Sequence, residues 1–138
     1  KRAEIFQQVT GRGGTIPTLI HPTARVDSSA TLGPGVQICA GAIVCAEARI
    51  GTDTIINSGA IIEHECDIEE HCHVGPGAIL VGRVTVGRET FIGAGSTITD
   101  DVHIGESVII GAGSVVLEDI RSFVTAVGIP AKIIKEHA

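Results

Sequence analysis

A branched apolar residue recurs at every sixth position along most of this chain. A spacing of six matches neither the 3.6-residue period of a helix nor the 2-residue period of an isolated strand. It is typical of a parallel β-helix, in which each hexad forms one short flat side and the repeated side chain points into a shared core. We call these residues the anchors; they are Ile20, Val26, Leu32, Ile38, Val44, Ile50, Ile56, Ile62, Ile68, Val74, Leu80, Val86, Ile92, Ile98, Ile104, Ile110 and Val116.

Two further positions of the hexad support a tightly wound coil. Four residues after each anchor, the side chain is small or slim, as at Ala24, Ala60, Cys66 and Ser96. Glycine is concentrated one or three residues after the anchor. We expect the backbone to turn a corner at both of these glycine positions, with a positive φ that glycine adopts most cheaply.

Three hexads would close one triangular coil, so that residues eighteen apart stack on neighbouring coils. Seventeen anchors then make nearly six coils, and the solenoid would be about 28 Å long at the usual distance between neighbouring strands. The spacing does not specify handedness, and parallel crossovers in sheets are nearly always right-handed.

Composition limits the classes of function. The 138 residues suit one structural unit, and the net charge of -6 with 2% aromatic residues argues against a nucleic-acid surface. No apolar run approaches the length of a bilayer span, and no secretory signal pattern is found. No two of the cysteines Cys39, Cys45, Cys66 and Cys72 are eighteen apart. We expect reduced thiols and a cytoplasmic protein that binds neither membrane nor nucleic acid.

The two ends depart from the repeat. Residues 1–9 resemble the last turns of an amphipathic helix, with Ile5, Phe6 and Val9 on one side. A chain that begins within a helix and lacks methionine suggests that residues 1–19 are the C-terminal remnant of an upstream domain and its linker. The alternative is a naturally short protein with a helical cap. Residues 20–120 would form the β-helix domain, and residues 121–138 a C-terminal cap and tail.

Potential chemistry is concentrated between Asn57 and Gly82. This segment contains the run Ile62-Glu63-His64-Glu65-Cys66 and, shortly after it, His71-Cys72-His73. His64 and His73 should project outward, because the inward positions belong to the anchors and to the small residues. They could be ordinary solvated histidines. Two outward histidines with an adjacent acid, in a chain this apolar, instead favour a site.

These motifs resemble a particular branch of the hexapeptide-repeat acyltransferases. The Ile-Glu-His-Glu-Cys run, the later His73-Val74-Gly75 and the junction Thr18-Leu19-Ile20-His21-Pro22 are similar to those of sialic-acid O-acetyltransferases and UDP-4-amino-sugar (bacillosamine-type) N-acetyltransferases. The resemblance implies an all-β, left-handed parallel β-helix that assembles as a homotrimer. It also implies transfer of acetyl from acetyl-CoA, without a metal, to an amino or hydroxyl group of a nucleotide-linked sugar in cell-surface polysaccharide biosynthesis.

The resemblance also assigns roles to residues. His64 would be the general base, and the neighbouring Glu65 carboxylate would favour the imidazolium and strengthen that base. His73 matches a residue that contacts acetyl-CoA near its carbonyl group, and Asn57 a polar residue that lines the substrate site. Gly82, one coil above His64, would leave room for substrate and offer an N–H to the developing oxyanion.

The remaining roles concern coenzyme A and assembly. Ala94 and Ala112, stacked on consecutive coils, match backbone contacts to the pantetheine arm, and Lys132 in the Gly128-Ile129-Pro130-Ala131-Lys132 run would lie beside the coenzyme A tail. No cysteine nucleophile is indicated, because Cys66 and Cys72 occupy inward positions. We expect direct transfer at a site between subunits, where a facing wall would also cover outward isoleucines such as Ile43, Ile55, Ile61 and Ile79.

Two other classes of function stay open at this point. A γ-carbonic-anhydrase-like metalloenzyme shares the expected fold, but its paired histidines lie five apart, whereas the spacings among His64, His71 and His73 are seven, two and nine. A non-catalytic β-helix could serve as a trimerisation module. The acceptor sugar, the choice between N- and O-acetylation and the activity of this chain alone do not follow from the sequence.

Overall fold

The computed structural model describes residues 1–137 and shows the predicted left-handed parallel β-helix of nearly six coils. Helix α1 spans Arg2–Gly11, and strands β18 and β19 span Val124–Gly128 and Ala131–Glu136. Each of the strands β1 to β17 has two residues, and the second is always an anchor. These strands are Leu19–Ile20, Arg25–Val26, Thr31–Leu32, Gln37–Ile38, Ile43–Val44, Arg49–Ile50, Ile55–Ile56, Ile61–Ile62, Asp67–Ile68, His73–Val74, Ile79–Leu80, Thr85–Val86, Phe91–Ile92, Thr97–Ile98, His103–Ile104, Ile109–Ile110 and Val115–Val116.

The strands form three flat sheets that are the sides of a triangular prism. The first sheet has the order β1-β4-β7-β10-β13-β16-β18-β19, the second β17-β14-β11-β8-β5-β2 and the third β15-β12-β9-β6-β3. Neighbours among β1 to β17 are parallel and eighteen residues apart, as in the pairing of Val74 with Ile92, which confirms the predicted coil length. We name the edges of the prism after the sheets they join, in chain order: first–second, second–third and third–first.

The core is the column of anchors inside the prism. Every anchor from Ile38 to Val116 is at most 2% exposed. The prediction was wrong for the first coil, where Ile20 is 49% exposed and Val26 and Leu32 are only partly buried. Within residues 1–137, no coil lies below the first one to cover these side chains.

The two sets of glycines lie at the corners of the coils for different structural reasons. Three residues after each anchor from Leu32 to Ile110 the backbone has a positive φ, both at glycines such as Gly77 and at non-glycine residues such as Glu65, where φ is 58°. One residue after the anchor φ is not positive, so the predicted reason was wrong there. A Cβ on Gly93 would lie 2.5 Å from the backbone nitrogen of Ala112 in the next coil. The close approach of the next coil therefore favours glycine at Gly93.

Helix α1 differs from its prediction in length and in its buried side. It continues to Gly11, and only Phe6 is buried, whereas Ile5 and Val9 are 51% and 38% exposed. The side that contacts the β-helix instead carries Arg2 and Phe6, which lie one helical turn apart. The prediction chose the buried side of the helix from the spacing of apolar residues, and it was wrong because the charged Arg2 lies on that side.

Arg2 joins helix α1 to the third–first edge through a mostly buried ion pair. Its Nε lies 3.1 Å from Asp53 Oδ2, and its guanidinium donates to the carbonyl oxygens of His71 and Cys72 at 2.9 and 3.0 Å. Asp53 Oδ2 also lies 2.9 Å from His71 Nδ1, and the Asp53 side chain is only 5% exposed. The Phe6 ring meets the His71 ring edge-on, with centroids 5.8 Å apart.

The C-terminal cap continues the winding with a shorter register. The hexad spacing stops after Val116 as predicted, but Ile120 still bridges to Ile104 and β18 pairs in parallel with β16. The partners Ile110 and Ala126 are sixteen residues apart. Strand β19 then returns antiparallel along β18 and closes this end of the first sheet.

Helix α1, ten residues long, is too short to cross a membrane, and the part of the chain that the structure describes contains no helix long and apolar enough to do so.

We predict that Asp53→Asn detaches helix α1. Breaking a buried ion pair costs about 3 kcal/mol, so the amide hydrogens of residues 2–11 should exchange roughly 100-fold faster, as measured by mass spectrometry. Asp101→Asn is the matched control, because Asp101 also has a positive φ and pairs with an arginine but is exposed. Unchanged exchange in Asp53→Asn would show that the ion pair does not hold the helix.

Candidate functional site

His64 lies on the second–third edge, two residues after its anchor Ile62. Its side chain projects outward and is 47% exposed, and its Nδ1 lies 3.0 Å from Glu65 Oε2. Because a carboxylate only accepts hydrogen bonds, this contact places a proton on Nδ1 and leaves a lone pair on Nε2 when the ring is neutral. The arrangement holds an imidazole that can accept a proton at Nε2.

Gly82 lies directly above His64 in the next coil, as the stacking predicts. A Cβ at this position would lie 2.5 Å from His64 Nε2 and 2.6 Å from Cε1. The space left by the missing side chain is therefore occupied by the imidazole itself. The Gly82 N–H has no hydrogen-bond acceptor among the described residues. The next N–H along the chain, that of Arg83, donates to the His64 carbonyl oxygen at 2.9 Å.

His73 lies on the first sheet, where it is the outward residue of β10. Its Nε2 lies 3.0 Å from Asn57 Nδ2, and the Phe91 ring stands edge-on to it with centroids 5.2 Å apart. Burial lowers the pKa of His73, and the positive charge of Arg2 lowers it further. Both causes disfavour the imidazolium, so the ring is held neutral near pH 7.

Ala94 and Ala112 form an exposed small-residue step on the first–second edge. They lie on consecutive coils, and the N–H of Gly113 donates to the Ala94 carbonyl at 2.8 Å. Lys132 is exposed on β19 opposite Val127. It lines a cleft between the hairpin and the loop that follows β17, where Glu118 and Asp119 are its charged neighbours.

One protomer brings these residues together in two separate groups. His64, Glu65 and Gly82 meet on the second–third edge. Asn57 and His73 meet on the first sheet, next to the first–second edge that carries Ala94 and Ala112. His64 follows a strand of the second sheet, whereas His73 lies within a strand of the first sheet, so the two histidines lie apart within one protomer.

Two elements of the site were missed by the sequence reasoning. Arg83 forks onto Asp101, with nitrogen–oxygen distances of 2.6 and 2.8 Å, and both residues stack above Glu65 in one column. These hydrogen bonds lower the pKa of Asp101. The spacing of eighteen residues from Glu65 to Arg83 to Asp101 was the signal that could have identified them. The contact between Asn57 and His73 spans sixteen residues and had no such signal.

The cysteines behave as predicted from their positions. All four are free, and Cys66 and Cys72 are buried. Burial is the main cause that raises the pKa of Cys66 to about 11 and that of Cys72 to about 12. Their thiols lie 3.2 and 3.1 Å from the carbonyl oxygens of Val81 and Gly87. Neither thiol is suited to act as a nucleophile near neutral pH.

Residues 1–137 contain no group of three or more His, Cys, Asp or Glu side chains arranged to hold a metal ion.

Comparison with known proteins supports the resemblance stated above. Residues 83–118 match the family described as bacterial transferase hexapeptide (six repeats). The chain has no significant match among curated proteins.

Several solved structures are similar over nearly the whole chain. A histidine-to-alanine mutant of GDP-perosamine N-acetyltransferase from Caulobacter crescentus, in complex with CoA and GDP-perosamine, is 38% identical with a TM-score of 0.95 over 97% of this chain and 64% of its own. The acetyltransferase domain of PglB from Neisseria gonorrhoeae, in complex with acetyl coenzyme A, is 35% identical with a TM-score of 0.94 over 96% and 64%. WeeI from Acinetobacter baumannii is 25% identical with a TM-score of 0.89 over 96% and 65%.

These matches confirm the predicted resemblance to the hexapeptide-repeat acyltransferases of the amino-sugar N-acetyltransferase type. The chain spans less than two thirds of the length of each of these three solved relatives.

We predict that Gly82→Ala displaces the His64 imidazole without unfolding the coil. The added Cβ would collide with the far end of a mobile side chain, which can move at little cost. In a histidine-labelled sample the ring resonances of His64 should shift, while the melting temperature changes by only a few degrees. Gly11→Ala is the control, because a Cβ there meets nothing within 4 Å. Unchanged His64 resonances would contradict the contact.

We predict that His73 titrates below 6.5, its ordinary pKa. In NMR titrations Arg2→Gln should raise that pKa, because it removes a positive charge that opposes protonation. The unfolded chain then binds a proton at a higher pH than the native state does. This residue's contribution to stability therefore falls as pH drops from 6.5 to the native pKa. A native pKa at or above 6.5 would contradict the prediction.

Proposed function

We propose that this chain is the acetyltransferase part of an enzyme that transfers acetyl from acetyl-CoA to the amino group of a nucleotide-linked sugar. The observation that carries the proposal is the exposed His64–Glu65 pair, with its free Nε2, on a hexapeptide β-helix. The similarity to an enzyme that acetylates GDP-perosamine and to a domain that binds acetyl coenzyme A supports this substrate class. An amine acceptor is favoured over a hydroxyl, because the perosamine enzyme is an N-acetyltransferase.

The chemical step needs one general base. The sugar nitrogen attacks the thioester carbonyl carbon, and His64 Nε2 removes a proton from that nitrogen. The carbon–sulfur bond breaks, and the proton passes to the departing sulfur, which leaves as CoA. Glu65 stabilises the imidazolium that exists between these proton transfers. The products are the N-acetyl sugar and CoA, with no covalent enzyme intermediate.

The thioester oxygen requires hydrogen-bond donors as it gains negative charge. We assign this role to His73 and to the N–H of Gly82, which donates to no other described residue. Ala94 and Ala112 would lie along the pantetheine arm, since small exposed residues let an extended chain approach the backbone. Lys132 would lie near the coenzyme A tail, and the neighbouring Glu118 and Asp119 make this the least favourable of the proposed contacts.

A homotrimer would complete the site, because His64 and His73 lie on different sheets of one protomer. The outward rows of the first two sheets are largely apolar and include Ile43, Ile55, Ile61, Ile79 and Phe91. The outward row of the third sheet is polar, and it contains Thr31, Arg49, Asp67, Thr85 and His103. This contrast supports packing of the first two sheets between subunits and exposure of the third.

We further propose that residues 1–19 are the end of an upstream sugar-binding domain, with the β-helix domain at 20–120 and the cap at 121–138. The greater length of the solved relatives supports this division. A cytoplasmic role in cell-surface polysaccharide biosynthesis would supply both substrates. We do not adopt the γ-carbonic anhydrase alternative, because the spacings among the histidines do not match those of that family. We do not adopt the trimerisation-module alternative, because a non-catalytic module would leave the His64–Glu65 pair unexplained.

We predict that His64→Ala lowers kcat by about 1000-fold, the usual effect of losing a general base. The assay would follow CoA release from acetyl-CoA with a nucleotide-linked amino sugar. His103→Ala is the control, because His103 is also exposed but lies on the third sheet. The oligomer, measured by light scattering, should be unchanged in both variants. Equal turnover in the His64 variant and the control would remove His64 as the base.

Calorimetric titration of acetyl-CoA tests donor binding separately from the acceptor. We expect micromolar binding by the wild-type chain and weaker binding by His73→Ala. Absence of binding to a folded wild-type oligomer would overturn the proposed function.

A further inference from the structure

The orientation of the Asn57 amide is determined by its backbone neighbour. The N–H of Ser58 donates to Asn57 Oδ1 at 2.7 Å. Because a backbone N–H is only a donor, the atom that receives it must be the amide oxygen. The Asn57 NH₂ group therefore faces the other way, toward the first-sheet histidine.

This orientation determines which nitrogen of His73 carries the proton. Asn57 Nδ2 lies 3.0 Å from His73 Nε2, and an NH₂ group can only donate. His73 Nε2 must then accept, so the proton of the neutral ring lies on Nδ1. We propose that Asn57 is a positioning residue that holds His73 as the Nδ1–H tautomer and thereby presents an N–H donor to the thioester oxygen of acetyl-CoA. The second half of this inference rests on the proposed function.

The surroundings of His73 agree with a donor that stays neutral. His73 Nδ1 has no hydrogen-bond partner among residues 1–137. Every buried side-chain nitrogen or oxygen in this part of the chain has a partner, so Nδ1 is not buried and is open to solvent. The edge-on Phe91 ring limits rotation of the imidazole. Partial burial and Arg2 both oppose a second proton. A neutral imidazole can donate from Nδ1 without competing as an acid.

The two histidines of the site are thus held in opposite tautomers by different partners. Glu65 accepts from His64 Nδ1 and leaves Nε2 as a proton acceptor. Asn57 donates to His73 Nε2 and leaves Nδ1–H as a donor. Acetyl transfer to an amine needs one group of each kind, a base for the nucleophile and a donor for the oxyanion. An amide in place of Glu65, or a carboxylate in place of Asn57, would favour the other tautomer of the neighbouring histidine and so reverse its donor or acceptor role.

The test is Asn57→Asp, which keeps the side-chain shape and the acceptor for Ser58 but replaces the donor to His73 with an acceptor. Nitrogen-15 NMR of the imidazole at pH 8 distinguishes the tautomers, because an unprotonated ring nitrogen resonates far downfield of a protonated one. We expect the unprotonated signal at His73 Nε2 in the wild type and at Nδ1 in Asn57→Asp. The kcat for acetyl transfer should fall about 100-fold, as for loss of one oxyanion donor, with little change in KM for acetyl-CoA.

Gln37→Glu is the matched control, because it makes the same change from amide to carboxylate on the first sheet beside Ile55 rather than beside a histidine. It should leave the His73 tautomer unchanged. A wild-type spectrum with the proton on Nε2, or an unchanged tautomer in Asn57→Asp, would overturn the role of Asn57. Reversal of the tautomer with normal kcat would overturn the donor role.

Failure of the proposed function has a different signature. In that case the wild-type protein would not acetylate nucleotide-linked amino sugars at all. The NMR spectra would still decide the tautomer, because they require no substrate.

Discussion

Backbone hydrogen bonding between coils is the constraint on which the rest of this molecule depends. Each two-residue strand is too short to be stable alone, and it persists because the coils before and after it pair with the same two residues. The pairing fixes a register of eighteen residues. Each outward side chain of the regular coils therefore lies above or below the side chain eighteen residues away. His64 thus lies against Gly82, and Arg83 lies above Glu65, without any loop to position them. The backbone positions of these residues are thus set by the hydrogen bonds between coils.

This register also explains how much of the molecule could be predicted from the sequence. Strand positions, sheets, inward thiols and the stack of His64 under Gly82 all follow from counting in sixes and eighteens. Contacts with other separations could not be found in this way. The cap pairs Ile110 with Ala126 at a spacing of sixteen. Helix α1 docks through Arg2 and Phe6, whereas the other apolar residues of the predicted side, Ile5 and Val9, are exposed. These contacts depend on three-dimensional geometry that no periodicity encodes.

The electrostatic environment divides similar residues into different roles. Cys66 and Cys72 point into an apolar core, where burial raises the pKa of both thiols and disfavours their nucleophilic thiolate forms. His64 is exposed beside a carboxylate, whereas His73 is half-buried beside an amide and near a guanidinium. A carboxylate stabilises an added proton, and burial opposes one. These different environments are the reason why we propose proton transfer for His64 and neutral hydrogen bonding for His73.

Rigidity also limits what one copy of the chain can do. A coil of eighteen residues holds its three edges apart, and no flexible loop of the β-helix can carry His64 to the first sheet. Under the proposed function, His64 on the second–third edge and His73 on the first sheet would reach one substrate only if prisms pack side by side. The largely apolar outward rows of the first two sheets, and the polar outward row of the third, fit such packing. The geometry that makes the single chain stable is thus the reason why we expect its chemistry to require an assembly.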